Sequence, residues 1–179
     1  MAVRCWVFSD HHFGHANMLN FRRTDGTPLR PGFRDVDEMD EVMVALWNDA
    51  IAPQDHVYHL GDFAMSGANL DKFAPRLNGV KRLIRGNHDM ESTNRYIKHG
   101  FREIYGSLVR GHLLLTHYPV HPDSIGKHLA NVHGHIHANK GPAGRYINVS
   151  VEVVDYKPVL LDQLISQAEV LKAQEEALA

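Results

Sequence analysis

Apolar residues recur along this chain with two different periods. Arg4 to Ser9, residues 56–60 (HVYHL) and residues 80–84 (VKRLI) are rich in β-branched and aromatic side chains and read as strands. Between the first two, Val36, Met39, Val42, Met43 and Leu46 fall at helical spacing, so the pattern predicts an amphipathic helix over 36–49. Asp35 is its expected N-cap, with Glu38 as the returning carboxylate. Short helices are expected over 69–77 and 91–99, the second closed by Gly100. The second half is richer in strands: 102–117 reads as strands joined by a tight turn at Arg110-Gly111, followed by 131–135 and 146–154. A last helix, about 162–177, carries Leu161, Leu164, Ile165, Ala168 and Leu171 on one face. Residues 20–34 (NFRRTDGTPLRPGFR) show no period and read as a long surface loop. Strands alternating with helices, then a strand-rich half, imply an α/β layered fold with mixed sheets in one domain spanning 1–179.

Composition narrows the functional classes. With 22% charged residues and a formal net charge of −2, the chain has no global attraction for nucleic acid or anionic lipid. Cys5 is the sole cysteine, which excludes a disulfide framework and suits a reducing cytoplasm. No basic-then-apolar leader and no run of membrane-spanning length is expected. Fourteen histidines are scattered from position 11 to 137, so they belong to the fold rather than to a tag. Histidine is the commonest metal ligand and titrates near neutrality.

The chemistry gathers where apolar runs stop. CWVFSD ends at Asp10, HVYHLGD at Asp62, RLIRGNHD at Asn87, His88 and Asp89, LLLTHYP at His117, and NVHGHIH at His135 and His137. In open α/β sheets ligands bind at the carboxyl ends of strands, so five distant segments are expected to assemble one site. Side chains two apart along an extended chain share a face, which would aim Asp10 with His12, and His135 with His137, while His11 points away. Asp10, His12, Asp62, Asn87, His117, His135 and His137 then offer oxygen and nitrogen donors with no thiolate. One tetrahedral ion needs about four ligands, so this set suits two ions sharing a carboxylate. Two ions roughly 3.5–4 Å apart suit phosphate-ester hydrolysis, holding an attacking hydroxide between them and neutralising charge on the phosphoryl oxygens.

These blocks, D-x-H at 10–12, GD at 61–62, GNHD at 86–89, His117 and GHIH at 134–137, resemble the calcineurin-like metallophosphoesterase superfamily in their usual order. The wider wording (SDHHFGHANM, VHGHIHAN, INVSVE) is similar to its short, cap-less bacterial and phage phosphoesterases. The resemblance implies a four-layer α/β/β/α sandwich of two mixed sheets flanked by helices. It implies that Asp10, His12 and His137 hold one metal, that Asn87, His117 and His135 hold a second, and that Asp62 bridges them. His88 would stand outside the metal shell as general acid toward the leaving-group oxygen, with Asp89 orienting it. The cations would be divalent, Mn2+ first, with Fe, Zn, Ni or Co as other occupants that mixed nitrogen and oxygen donors admit.

His56, His59, His112 and His133 lie inside expected strands and read as packing residues or as groups orienting ligands. His99 reads as a helix C-terminal residue. His15, Asn17, Arg22 and Arg23 are the candidate substrate contacts, and His121 and His128 sit in loops expected to rim the site. Arg22, Arg23, Arg30 and Arg34 cluster in the loop 20–34, which reads narrowly as solvated rather than phosphate-binding. The expected partner is a small phosphate mono- or diester. The alternatives are a nuclease or cyclic-nucleotide phosphodiesterase on the same metals, a non-catalytic scaffold, which would show eroded ligands, and an amide hydrolase, which leaves GNHD unexplained. Oligomeric state stays open.

Overall fold

Side chains that alternate along the first strand, β1 (Cys5–Phe8), separate two cores. Trp6 and Phe8 pack with Met39, Met43 and Trp47, whereas Val7 packs with Tyr58, Leu115 and Val132. The computed structural model describes residues 2–178. After β1 follow α1 (Val36–Ala50), β2 (His56–His59), α2 (Gly67–Phe73), β3 (Val80–Ile84), α3 (Thr93–Lys98) and β4 (Phe101–Tyr105). The second half holds β5 (Leu108–Arg110), β6 (Leu113–Leu115), α4 (Pro122–Ile125), β7 (Asn131–His133), β8 (Tyr146–Asn148), β9 (Val159–Leu160) and α5 (Leu161–Ala177).

One sheet has the order β4-β3-β2-β1-β9, with the first four strands parallel and β9 antiparallel. The other has the order β5-β6-β7-β8, with only β5 antiparallel. The second core, holding Val7, Tyr58, Leu60 and Ile84 from one sheet and Leu113, Leu115, Val132 and Ile147 from the other, lies between them. Helices flank this pair, which gives the expected four-layer α/β/β/α sandwich of two mixed sheets. Parallel register aligns Phe8 with His59 and His59 with Leu83, which brings the carboxyl ends of β1, β2 and β3 to one rim. There the sheets meet: Ser9 donates its N–H to Val149 and accepts that of Val151, an isolated bridge to Ser150.

The long helix begins as its sequence implies. Asp35 accepts the Glu38 N–H at 2.9 Å, but the Glu38 carboxylate returns to the N–H of Arg34, one residue before the cap. α2 starts two residues earlier than the pattern indicated because Ser66 caps it. The tight turn is the two-residue loop Gly111-His112, with φ of 56° and 64°, between Arg110 and Leu113. His112 is thus an exposed turn residue and not a strand residue. The expected strand 146–154 stops at Asn148; residues 151–156 form turns before the short β9. α4, in the segment between His121 and His128 expected to be loop, carried no periodic signal because it is one turn long.

Candidate metal centre

Each candidate donor sits in a turn just past a strand. The β1–β2 pairing continues beyond the strands, with the Asp10 N–H on Gly61 O and the His12 N–H on Asp62 O, both at 3.0 Å. Asp10, His12, Asp62, His135 and His137 all have left-handed backbone, with φ of 62°, 52°, 54°, 69° and 50°. The expected extended geometry at 10–12 and 135–137 is therefore corrected. Left-handed turns, which Asp and His tolerate better than most residues, turn these side chains inward. His11 does point away, as the spacing indicated: its buried ring packs against Phe8, Phe13 and Trp47, and Nδ1 lies 2.8 Å from His59 Nε2.

Three overlapping groups result, each with its ligand atoms within 4.8 Å of one another: Asp10, His12 and His137; His12, Asp62 and His88; Asp62, His117 and His135. Asp62 Oδ2 is the hinge of the arrangement, 3.4 Å from His12 Nε2 and 3.5 Å from His117 Nε2. Burial pushes its carboxyl up, but the hydrogen bond and charge of His117 and the N–H of His88 outweigh it and hold Asp62 well below the carboxylate range. His117 Nδ1 donates to Leu60 O at 2.8 Å, which turns Nε2 toward Asn87 Oδ1 at 3.0 Å. Asp10 accepts the N–H of His135 and the hydroxyls of Ser9 and Ser150, while burial raises its carboxyl.

His12 tests whether a cation fits. Its ring is 2% exposed, burial lowers its pKa to about 2, and neither ring nitrogen has a hydrogen-bond partner. A neutral imidazole with both nitrogens buried and unpaired is costly unless a metal takes one of them. The donor set, histidine nitrogens and carboxylate oxygens in three overlapping groups, fits divalent cations.

Glycines let the loops approach. A Cβ on Gly86 would lie 2.1 Å from Asp62 Oδ1, and one on Gly61 2.6 Å from His117 Nδ1. His88 donates its backbone N–H to Asp62 Oδ1 at 2.8 Å, and its half-buried ring centres 5.1 Å from that of His12. Asp89 does not meet the His88 ring as expected. Both its oxygens are taken by the N–H groups of Asp62, Phe63 and Gly86 and by the Tyr96 hydroxyl.

His15 reaches the rim, 6.3 Å from His88 between ring centres, with Phe21 against it at 5.7 Å. Asn17 is exposed on the 3-10 turn Ala16–Leu19. Arg22 donates to Gly26 O within its own loop, and Arg23 lies half-buried in the same loop. Arg34 is solvated as expected, paired with Asp35. Arg30 is not solvated: it is 1% exposed and bonded to Glu152. His121 is exposed and accepts the Asp123 N–H. Glu152, whose Oε1 stands 3.1 Å from His137 Nδ1, escaped sequence reasoning, since it follows an alternating apolar run like any surface strand residue. Tyr118, 4.4 Å from His135 and 48% exposed, was missed as well; its place directly after His117 was the available signal.

Comparisons with known proteins agree with this geometry. The family Calcineurin-like phosphoesterase matches residues 3–173. An uncharacterized protein of Methanocaldococcus jannaschii is 34% identical over 176 residues, covering 93% of this chain and 92% of that one. The Gene 66 protein of a Mycobacterium phage is 36% identical over 88 residues, covering 47% of this chain and 39% of that protein. The crystal structure of a protein of unknown function from Aquifex aeolicus matches with a TM-score of 0.72 at 26% identity, over 93% of this chain and 100% of that one. A family match running from before the first donor turn to within the last helix leaves one assignment: this chain belongs to the calcineurin-like phosphoesterase family.

Proposed function

We propose that this protein hydrolyses a small phosphate mono- or diester with two divalent cations. Asp10, His12 and His137 would hold one, and Asn87, His117 and His135 the other, with Asp62 common to both. The observation that carries this reading is the overlap of the donor groups through His12 and Asp62, two buried side chains belonging to neighbouring strand ends. Bound there, the cations supply Lewis acidity, neutralising phosphoryl charge and lowering the pKa of water from 15.7 toward about 7.

The chain's own residues do the rest. His88, half-buried on the rim with its backbone anchored to Asp62, holds a proton toward the departing ester oxygen. Asp89 acts at one remove: by accepting N–H groups from both the GD and the GNHD turns it keeps Asp62 and His88 in register. His15 and Tyr118 flank the opening and contact the substrate's leaving group or second ester arm. A small ester is preferred to nucleic acid because Arg30 is buried and Arg22 is bonded to its own loop, which removes two arginines that would meet a polynucleotide backbone.

Mn2+ is the first cation to supply, since donors without thiolate accept several first-row ions and availability decides among them. Among the described residues no helix is long and apolar enough to cross a membrane. The lone Cys5 supports a cytoplasmic setting. The test is a panel of p-nitrophenyl phosphate, bis-p-nitrophenyl phosphate and cyclic nucleotides, each with Mn2+ and with chelator. Turnover of at least one ester that chelator abolishes and Mn2+ restores is expected; turnover indifferent to chelator would refute the reading.

A further inference from the structure

We infer that the buried pair Arg30–Glu152 is a clamp that positions one metal site and not the other; this deepens the dinuclear reading and rests on it. Both side chains are fully buried, and Arg30 Nε donates to Glu152 Oε1 at 2.7 Å. The same Oε1 stands 3.1 Å from His137 Nδ1. With Nδ1–H donating there, His137 presents Nε2 as its free donor, the arrangement by which a carboxylate orients a ligating imidazole and raises its basicity. The other end of the guanidinium grips the opposite wall: one terminal nitrogen donates to His11 O at 2.8 Å, the other to Asp10 O at 2.5 Å. One cation thus ties the backbone that carries Asp10 and His12 to the carboxylate that aims His137. Those three residues form the first donor group. Asp62, His117 and His135 receive no hydrogen bond or ion pair from Arg30 or Glu152; His117 is oriented instead by Leu60 O.

The joint is costly to build. Arg30 lies in the irregular loop before α1 and Glu152 in the turns after β8, 122 positions apart. Two charges taken wholly out of water are tolerated only with close geometry and further hydrogen bonds, and a pair of apolar residues would serve stability as well or better. Their retention at the back of one donor group is what a positioning role requires. Arg30 and Glu152 touch neither the open rim nor the place of substrate; they act through Asp10, His12 and His137.

The consequence is selective loss. In Glu152→Gln, and in the charge-neutral double variant Arg30→Met with Glu152→Gln, one Mn2+ site should weaken by about 10–100-fold while the other keeps its wild-type affinity. Calorimetric titration of the chelator-stripped full chain with Mn2+ reads the two affinities. Electron paramagnetic resonance at one equivalent reads the same split as isolated Mn2+ in place of the coupled pair. The double variant leaves no unpaired buried charge, so it stays testable if the single one does not fold. Arg82→Gln, which breaks the Arg82–Glu103 pair on β3 and β4, should leave both sites intact. Equal weakening of both sites in the folded double variant, or no weakening of either, would overturn the clamp while leaving the two-metal reading standing. Wild-type protein that binds no Mn2+ would overturn both.

Discussion

Asp89 Oδ2 accepts the backbone N–H of Asp62 at 2.7 Å, so a residue common to two of the three donor groups is held from behind by a second carboxylate. Asp89 also takes the N–H groups of Phe63 and Gly86 and the hydroxyl of Tyr96, which leaves it no lone pair for His88. Asn has one acceptor oxygen where Asp has two. Asp89→Asn therefore sets an NH2 group against backbone donors, at about 1–3 kcal/mol for each buried group left unpaired. The melting temperature should fall by about 5–15 °C, at roughly 2–4 °C per kcal/mol for a chain of this size. Tyr96→Phe, which removes one hydroxyl donor to Asp89 and leaves both carboxylate oxygens in place, should cost about 1 kcal/mol and keep metal binding. A Tyr96→Phe loss as large as that of Asp89→Asn, measured by thermal melts in chelator, would contradict this account.

On the proposed mechanism, His88 separates proton donation from metal binding. General acid catalysis contributes about 10²–10⁴-fold, but only where the leaving oxygen needs a proton. His88→Ala should thus cut kcat steeply for an alkyl phosphate and little for a p-nitrophenyl ester, whose phenolate leaves unaided. Equal losses on both substrates, with metal content unchanged, would remove His88 from this role.

Asp40 provides a pH-dependent handle away from the donors. From α1, its Oδ2 accepts the Gly14 N–H at 2.9 Å, while Oδ1 is buried without a partner. Burial pushes its pKa from 3.8 to about 6. With the folded value raised, the group's contribution to stability is whole below pH 3.8 and is lost as pH rises through about 6. Asp40→Asn is neutral at every pH, so its melting temperature relative to wild type should climb between pH 4 and pH 7. Melts at both ends check the slope; a constant difference would mean that Asp40 titrates normally.

How much of this was legible before folding depends on the range of each signal. Val36, Met39, Met43 and Trp47 repeat within one helix, and Asp35 caps it by accepting an N–H only three residues away, so α1 could be read almost to the residue. The donors were legible because each ends an apolar run, a signal local to its strand. The backbone that aims them was not: extended geometry and the left-handed turns at Asp10 and His12 both bring these two side chains into one group, and only the backbone dihedral angles distinguish them. Arg30 shows the opposite limit. Nothing local separates it from its exposed loop neighbours, because its burial is decided by Glu152, far along the chain. The expected strand 146–154 failed for a related reason. Its alternation is real, yet Val149 and Val151 are buried within a bridge and turns at the seam between the sheets, not within a ladder.

That seam makes a last prediction possible. Gly134 follows β7, and its φ is not left-handed, so the backbone there would suit other residues. What excludes them is contact. An added Cβ would lie 1.9 Å from Ser9 Oγ and 2.2 Å from Asp10 Oδ2, with both residues wholly buried. Neither can yield easily: Ser9 is bonded through its backbone to Val149 and Val151, and the Asp10 carboxylate receives the N–H of His135 and the Ser150 hydroxyl. Gly134→Ala should therefore cost about 1–3 kcal/mol by overpacking, and it should do so by displacing Asp10, so that Mn2+ affinity falls at the site that Asp10 and His12 serve. Gly106→Ala makes the same chemical change where no atom lies within 4 Å of the new Cβ, and it should alter neither stability nor affinity. Parallel melts and Mn2+ titrations of the two variants decide the matter: if Gly134→Ala binds Mn2+ as wild type does, the Asp10 carboxylate is not held against β7 in the way that these distances require.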